Sequence, residues 1–407
     1  MISYKNSQPK PEKKKSKASA FFSLIAFLIV LQFLPNAGAQ EFVARDLVID
    51  LGDGLKTDAQ LTLPVVGDGP FPGILLIQGS GPIDMNEYLP PAVTGSSEPS
   101  KPFLQIAEYL SSRGIAVLRF NKRGVGLNGT ILDASIVNNA THENYRSDAE
   151  KALKVLKAQP EVDKNDITVL GHSEGAIVAP RIALDNKEIK KIVLMSATAE
   201  NLRDILDFQL ITRPLLYADQ IMDTNHDGLL SIKEVESIMG TPGEIIAPLP
   251  SAGLVKKNNT TDQYQWHSVI TSNQTGNISI QDDLKPLIIK QSQILLSDET
   301  LPGSIWLQSY FALNNTTEII GDVSASILIL QGENDTQVPV QQAMLLEQRL
   351  MEVNHPDHTL IVYPGLGHTF YPSKNWIQPL GPIGEKVLAD LHSWLTSPAR
   401  KTGETAY

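Results

Sequence analysis

A chain of 407 residues, 42 % hydrophobic and 19 % charged, can bury one large core or two smaller ones. Its 34 basic and 45 acidic residues give a net charge of −11, which argues against nucleic acid and anionic membrane surfaces as partners. The absence of cysteine excludes disulfides, thiol catalysis and thiolate metal sites.

The N-terminus stands apart. Lys5, Lys10, Lys13, Lys14, Lys15 and Lys17 precede an apolar run at 20–34, followed by Pro35-Asn36-Ala37-Gly38-Ala39-Gln40. Basic, then apolar, then small reads as a secretory signal over 1–39 with cleavage after Ala39. An uncleaved anchor is the alternative, although the run is shorter than the ~20 residues a span needs. Cleavage removes six lysines and Glu12, so 34 basic and 45 acidic residues become 28 and 44. The expected product is exported, periplasmic or secreted, with no membrane partner after cleavage.

Residues 42–51 and 60–64 alternate like an opening hairpin around the Gly52-Asp53-Gly54 turn. A buried strand at 73–77 ends in the glycine-rich loop 78–82. Helical spacing at 102–113 leads to a strand at 114–120 and the loop Asn121-Lys122-Arg123-Gly124-Val125-Gly126. A helix at 144–159 precedes the strand 167–170. That strand runs into Gly171-His172-Ser173-Glu174-Gly175 and a helical pattern at 176–184, with Pro180 its one blemish. Another strand follows at 189–195. Unbroken apolar strands alternating with helices predict a mostly parallel sheet covered on both faces, its first part spanning 40–198.

From 199 to 320 the rhythm stops, and the segment reads as a largely helical cap over the sheet's C-terminal edge, where open α/β sheets bind ligands. It resumes over 321–399 with a strand at 325–330, a helix at 340–352, a strand at 359–363 and a helix at 384–395. Residues 400–407 form a tail.

Ser173 stands where a strand turns sharply into a helix, flanked by glycines that let backbone pass without a Cβ clash. Asp335 follows one late strand, with Glu333 as a rival acid, and His368 follows the next. Imidazole at His368 can take the proton of Ser173 during attack, and Asp335 can hold the ring's tautomer. An oxyanion hole needs two backbone N–H groups. Glu174, after the nucleophile, supplies one; Ser80 is the expected second, with Gly79 next.

QGSGPIDMN, RFNKRGVG, GHSEGA, GENDTQVP and GLGHTF, each following a strand, together resemble the exported esterase and serine-aminopeptidase-like branch of the α/β-hydrolase superfamily. The resemblance covers about 42–198 and 321–397. It implies the α/β-hydrolase fold, short-chain acyl esterases or peptidases as the activity class, and triad roles for Ser173, Asp335 and His368. The first half of the insertion matches no pattern of that family.

The insertion also carries Asp223 to Glu234, DTNHDGLLSIKE, which matches an EF-hand loop. Asp223, Asn225 and Asp227 supply oxygens at positions one, three and five, with Gly228 at the turn. The Leu229 carbonyl serves at seven, Ser231 at nine and Glu234 at twelve. One structural calcium is expected, stapling a cap that lacks disulfides, and no second loop is expected to pair with it. The leading expectation is an exported serine ester hydrolase acting on a small acyl ester or aminoacyl substrate. A peptidase or acyltransferase with the same triad stays open, as does a non-catalytic calcium-dependent binding module.

Overall fold

The apolar runs become the strands of one eight-stranded sheet in the computed structural model. It describes residues 42–94, 97–238, 276–373 and 380–397, together with the backbone of two short strands at 255–257 and 264–266. The expected signal segment and the C-terminal tail lie outside the described residues, as does most of 239–275. The strands are β1 (Phe42–Gly52), β2 (Leu55–Pro64), β3 (Phe71–Ile77), β4 (Ala116–Phe120), β5 (Val162–His172), β6 (Lys191–Met195), β7 (Leu229–Leu230), β8 (Val255–Lys257), β9 (Tyr264–Trp266), β10 (Ile278–Ser279), β11 (Ser326–Gly332) and β12 (His358–Tyr363). The large sheet runs β1-β2-β4-β3-β5-β6-β11-β12. Pairing is antiparallel for β1–β2 and β2–β4 and parallel elsewhere.

Both faces of the central strands are buried, which explains why their sequences do not alternate. On β3, Ile74 and Leu76 enter one apolar cluster while Leu75 and Ile77 enter the other. Phe103, Ile106 and Leu110 of helix Pro102–Ser111 and Val387, Leu388 and Leu391 of helix Glu385–Thr396 cover the first face. Helices His142–Lys157, Glu174–Asp185 and Val340–Glu352 cover the second through Leu153, Leu156, Ile182, Leu346 and Leu350. Each such side chain contributes roughly 1.5–3 kcal/mol on burial. Pro180 is accommodated inside its helix, which continues to Asp185.

Register then decides which loops meet. Ile77 lies opposite Gly171, His172 opposite Met195, Met195 opposite Leu330, and Gly332 opposite Tyr363. The loops after β3, β5, β11 and β12 therefore leave the same edge of the sheet.

Between β6 and β11 the described residues are largely helical, including Leu202–Asp207, Arg213–Tyr217, Lys285–Ser297 and Ser304–Phe311. Leu202, Ile205 and Tyr310 pack against Ile177 and Val338 of the sheet region. A second cluster is internal to the insertion, with Tyr217, Met222, Leu230, Val235, Ile278 and Leu284 at its centre.

That cluster encloses a short strand pairing that the sequence did not reveal. β7, the short strand after the Gly228 turn, pairs antiparallel with β10, Leu230 opposite Ile278 and Leu229 opposite Ser279. Gly276-Asn277-Ile278-Ser279-Ile280-Gln281-Asp282 repeats the pattern of Gly228-Leu229-Leu230-Ser231-Ile232-Lys233-Glu234: glycine, an apolar residue two on, Ser-Ile, then an acid. Gly228 and Gly276 share φ of 76°. The segment that begins at Gly276 is thus the strand partner of the one that follows Gly228.

The tightest constraint falls at the β5 turn. A Cβ on Gly171 would lie 2.1 Å from the Gly175 carbonyl oxygen, and one on Gly175 would lie 2.0 Å from the Ile77 carbonyl oxygen. Both neighbours are backbone and cannot swing away. Gly175→Ala should therefore cost at least the upper end of the ~1–3 kcal/mol typical of overpacking, seen as a lowered melting temperature or loss of folded protein. A Gly175→Ala chain melting with the wild type would show that the two segments separate freely.

Candidate active site

Ser173 occupies the junction between β5 and helix Glu174–Asp185 with φ 54° and ψ −114°. A non-glycine residue held at positive φ stores of order 1–3 kcal/mol and persists only when its surroundings enforce it. Here the enforcing contacts are the glycine approaches above and the Ser173 N–H, which donates to the Met195 carbonyl at 2.9 Å. The residue is half-buried at the start of a helix, where unpaired N–H groups and the helix dipole favour negative charge.

His368 and Asp335 meet across the loops after β12 and β11. His368 Nδ1 donates to Asp335 Oδ2 at 2.8 Å, and both side chains are buried. The other carboxylate oxygen accepts from the N–H groups of Gln337 (2.8 Å) and Val338 (2.9 Å). Burial pushes the Asp335 pKa upward, but His368 and these hydrogen bonds outweigh it and leave the carboxyl below its ordinary value. Glu333, the rival acid, is exposed and accepts instead from the Gly365 N–H at 3.2 Å.

The loop after β3 lies against Ser173: a Cβ on Gly79 would sit 3.4 Å from Ser173 Cβ. The Gly79 N–H is committed to Glu87 Oε1 at 2.8 Å. Among the described residues, the Ser80 and Glu174 N–H groups donate to no protein acceptor. These two donors are thus available to a ligand, whereas Gly79 is not.

Two histidines share the site, and the sequence singled out one. His172, inside the turn, places Nδ1 3.0 Å from Glu87 Oε1 and Nε2 3.1 Å from the His368 carbonyl oxygen. Both neighbours are acceptors, so a ring protonated at both nitrogens satisfies both. Burial alone lowers the His172 pKa; Glu87, the His368 carbonyl and Asp335 reverse this and raise it above the ordinary histidine value. Glu87, at φ 51°, holds the loop after β3 and this imidazole together. Lys122, in the loop after β4, and Trp306, in the insertion, both reach the Glu174 carboxylate. Adjacency to Ser173 in GHSEGA was the sequence signal for His172, and Lys122 lies in the RFNKRGVG motif without a role attached to it; Glu87 and Trp306 carried no signal.

The residues expected to hold calcium form a closed turn. Asp223 accepts from the N–H groups of Asp227 (3.2 Å) and Gly228 (2.8 Å), and Asp227 accepts from Leu229 N–H (2.9 Å). The Asn225 side-chain oxygen accepts from Asp227 N–H at 3.2 Å. Glu234 accepts from the backbone and hydroxyl of both Thr224 and Ser231. The donors are all oxygen, which suits a hard cation. Among the described residues, no three or more His, Asp or Glu side chains gather as a metal cluster.

The family model described as serine aminopeptidase, S33 matches residues 92–373. Esterase EstD of Thermotoga maritima is 30 % identical over 274 residues, 61 % of this chain and 61 % of that protein's length. The chain thus spans about three fifths of that relative. Among solved structures, Est1E from Butyrivibrio proteoclasticus matches with a TM-score of 0.44 at 15 % identity, over 86 % of this chain and 97 % of that one. The acylaminoacyl peptidase of Pyrococcus horikoshii matches with a TM-score of 0.49 at 12 % identity, over 93 % and 44 %. No helix among the described residues is long and apolar enough to cross a membrane.

The raised pKa of His172 has a consequence for stability. Because its folded pKa is raised, its contribution is fully present below the unfolded value of ~6.5 and is lost as pH rises through the folded value. Melting temperatures of wild type and His172→Gln should differ most near or below about pH 6 and converge as pH rises. A difference that stays constant across that range would mean a neutral His172.

Proposed function

Because the chain belongs to the serine aminopeptidase S33 family and has the α/β-hydrolase fold, we propose that it is an exported serine hydrolase cleaving carboxylic esters of small acyl substrates. Ser173 Oγ attacks the acyl carbonyl while His368 Nε2 takes its proton. Asp335 keeps the second proton on Nδ1 and stabilises the imidazolium that forms. The Ser80 and Glu174 N–H groups receive the developing oxyanion. His368 then protonates the leaving alcohol, and water, activated by the same ring, releases the acyl group. The observation that carries this reading is the 2.8 Å His368–Asp335 hydrogen bond, made on neighbouring loops of the sheet edge that also carries the strained Ser173.

Ester substrates are favoured by the likeness to Esterase EstD, and aminoacyl amides by the name of the family. A panel of acyl esters and aminoacyl amides separates the two. We expect turnover of esters above amides, and a loss of at least ~10³-fold in Ser173→Ala and His368→Ala while both stay folded. Preference for amides would make the chain a peptidase, and near-normal activity in either variant would refute the triad.

We also propose that the Asp223–Glu234 loop takes one calcium ion, held by Asp223, Asn225, Asp227, the Leu229 carbonyl, Ser231 and Glu234. Its support is the oxygen donor set, the Gly228 turn and the pairing of β7 with β10. The ion would brace the insertion and take no part in attack by Ser173. At ~100 times its Kd, calcium would stabilise the fold by about 2.7 kcal/mol. Melts in calcium and in chelator should differ in the wild type and much less in Glu234→Gln; coincident wild-type melts from metal-free protein would count against the site.

A further inference from the structure

Lys122 lies in the loop after β4 and is 5 % exposed. Its ammonium donates to the Gly79 carbonyl oxygen at 2.5 Å and to Glu174 Oε2 at 2.5 Å, and lies 4.6 Å from the Tyr145 ring centroid. The other Glu174 oxygen accepts from Trp306 Nε1 at 2.5 Å. A buried ammonium is costly unless fully paired, and these contacts pair it.

What the two partners have in common is the oxyanion. The Gly79 carbonyl belongs to the same peptide group as the Ser80 N–H. Glu174 carries the other unpaired N–H. One cation therefore holds the peptide group that carries one free N–H and the side chain of the residue that carries the other. In a trans peptide the carbonyl and N–H point in opposite directions. A positive charge on the carbonyl side draws electron density toward oxygen and leaves the N–H more positive on the far side. The preceding peptide is fixed as well, since Glu87 holds the Gly79 N–H.

We propose that Lys122 is a positioning residue for the oxyanion hole: it sets the separation of the Ser80 and Glu174 N–H donors and polarises the peptide that carries the first. This inference rests on the acyl-transfer reading above. Trp306 extends the same chain of contacts into the insertion, so the helix Ser304–Phe311 bears on the donor geometry through Glu174.

An ion pair serving only to fill the interior would change melting temperature without favouring one stage of the reaction. A positioning residue acts when charge reaches the carbonyl oxygen. The measurements are kcat and KM for a 4-nitrophenyl butyrate substrate and inhibition by a butyl trifluoromethyl ketone, which adds to Ser173 as a tetrahedral oxyanion. Lys122→Met should lower kcat by roughly 10- to 100-fold, with KM within about threefold, because displaced donors lose part of an oxyanion contact worth about 10²–10³. Ketone affinity should fall by the same factor as kcat. Lys122→Arg should recover part of both.

Removing the ammonium alone strands the Glu174 carboxylate, so Lys122→Met/Glu174→Gln is made beside it to keep the interior neutral and folded. It should show the same paired losses. Wild-type kcat in either folded methionine variant, or a fall in kcat with unchanged ketone affinity, would overturn the inference alone. A wild type inert toward esters and amides and unlabelled by a fluorophosphonate would overturn the hydrolase reading, and this one with it.

Discussion

The backbone at Ser173 is the constraint on which the rest of the site depends. Its positive φ is sustained because Gly175 rests on the end of β3 and Gly171 rests on Gly175, with no side chain between them. Those contacts also draw the loop after β3 against Ser173. Register between β3 and β5 would bring the two loops to one edge, but close approach of bare backbone turns neighbours into a single surface. Strain at the serine and the nearness of the Ser80 and Glu174 N–H groups therefore have one cause.

Around that surface the chain buries several charged side chains. Glu87, Glu174 and Asp335 face His172 and Lys122, each in direct hydrogen-bond contact with a partner of opposite character or with backbone N–H groups. Burial weakens screening, so such groups exert more influence on one another and on a ligand than they would in water. It also makes each of them costly if a partner is lost. Three carboxylates stand near this surface, a field that favours an imidazolium on a neighbouring histidine. His368, hydrogen-bonded to Asp335, is placed to be that neighbour.

Much of this was legible in the sequence, for identifiable reasons. Central strands such as β3 and β11 read as unbroken apolar runs because both faces are covered. The Gly-x-Ser-x-Gly turn shows because sterics permit nothing larger, and Asp335 and His368 show because each follows a strand directly. The roles of Glu87, Lys122 and Trp306 were not legible. Their significance comes from contacts with residues up to 132 positions away, and no local period or spacing encodes such a contact. The segment at 276–282 failed to show for another reason: the pairing between β7 and β10 needs only glycine, an apolar residue and Ser-Ile, too little to stand out from a polar stretch.

That pairing places a local twofold axis inside one chain. Two copies of a short pattern meet antiparallel, as identical patches do across a symmetric dimer, with Leu230 and Ile278 as each other's counterparts. Both are almost wholly buried in the same apolar cluster. Near such an axis the quantity that packing conserves is the combined volume of the two side chains, because each fills space the other borders. A loss of bulk on one copy is made good by a gain on its mate. The seam between the two segments therefore tolerates unlike sequences, one ending in glutamate and the other in aspartate.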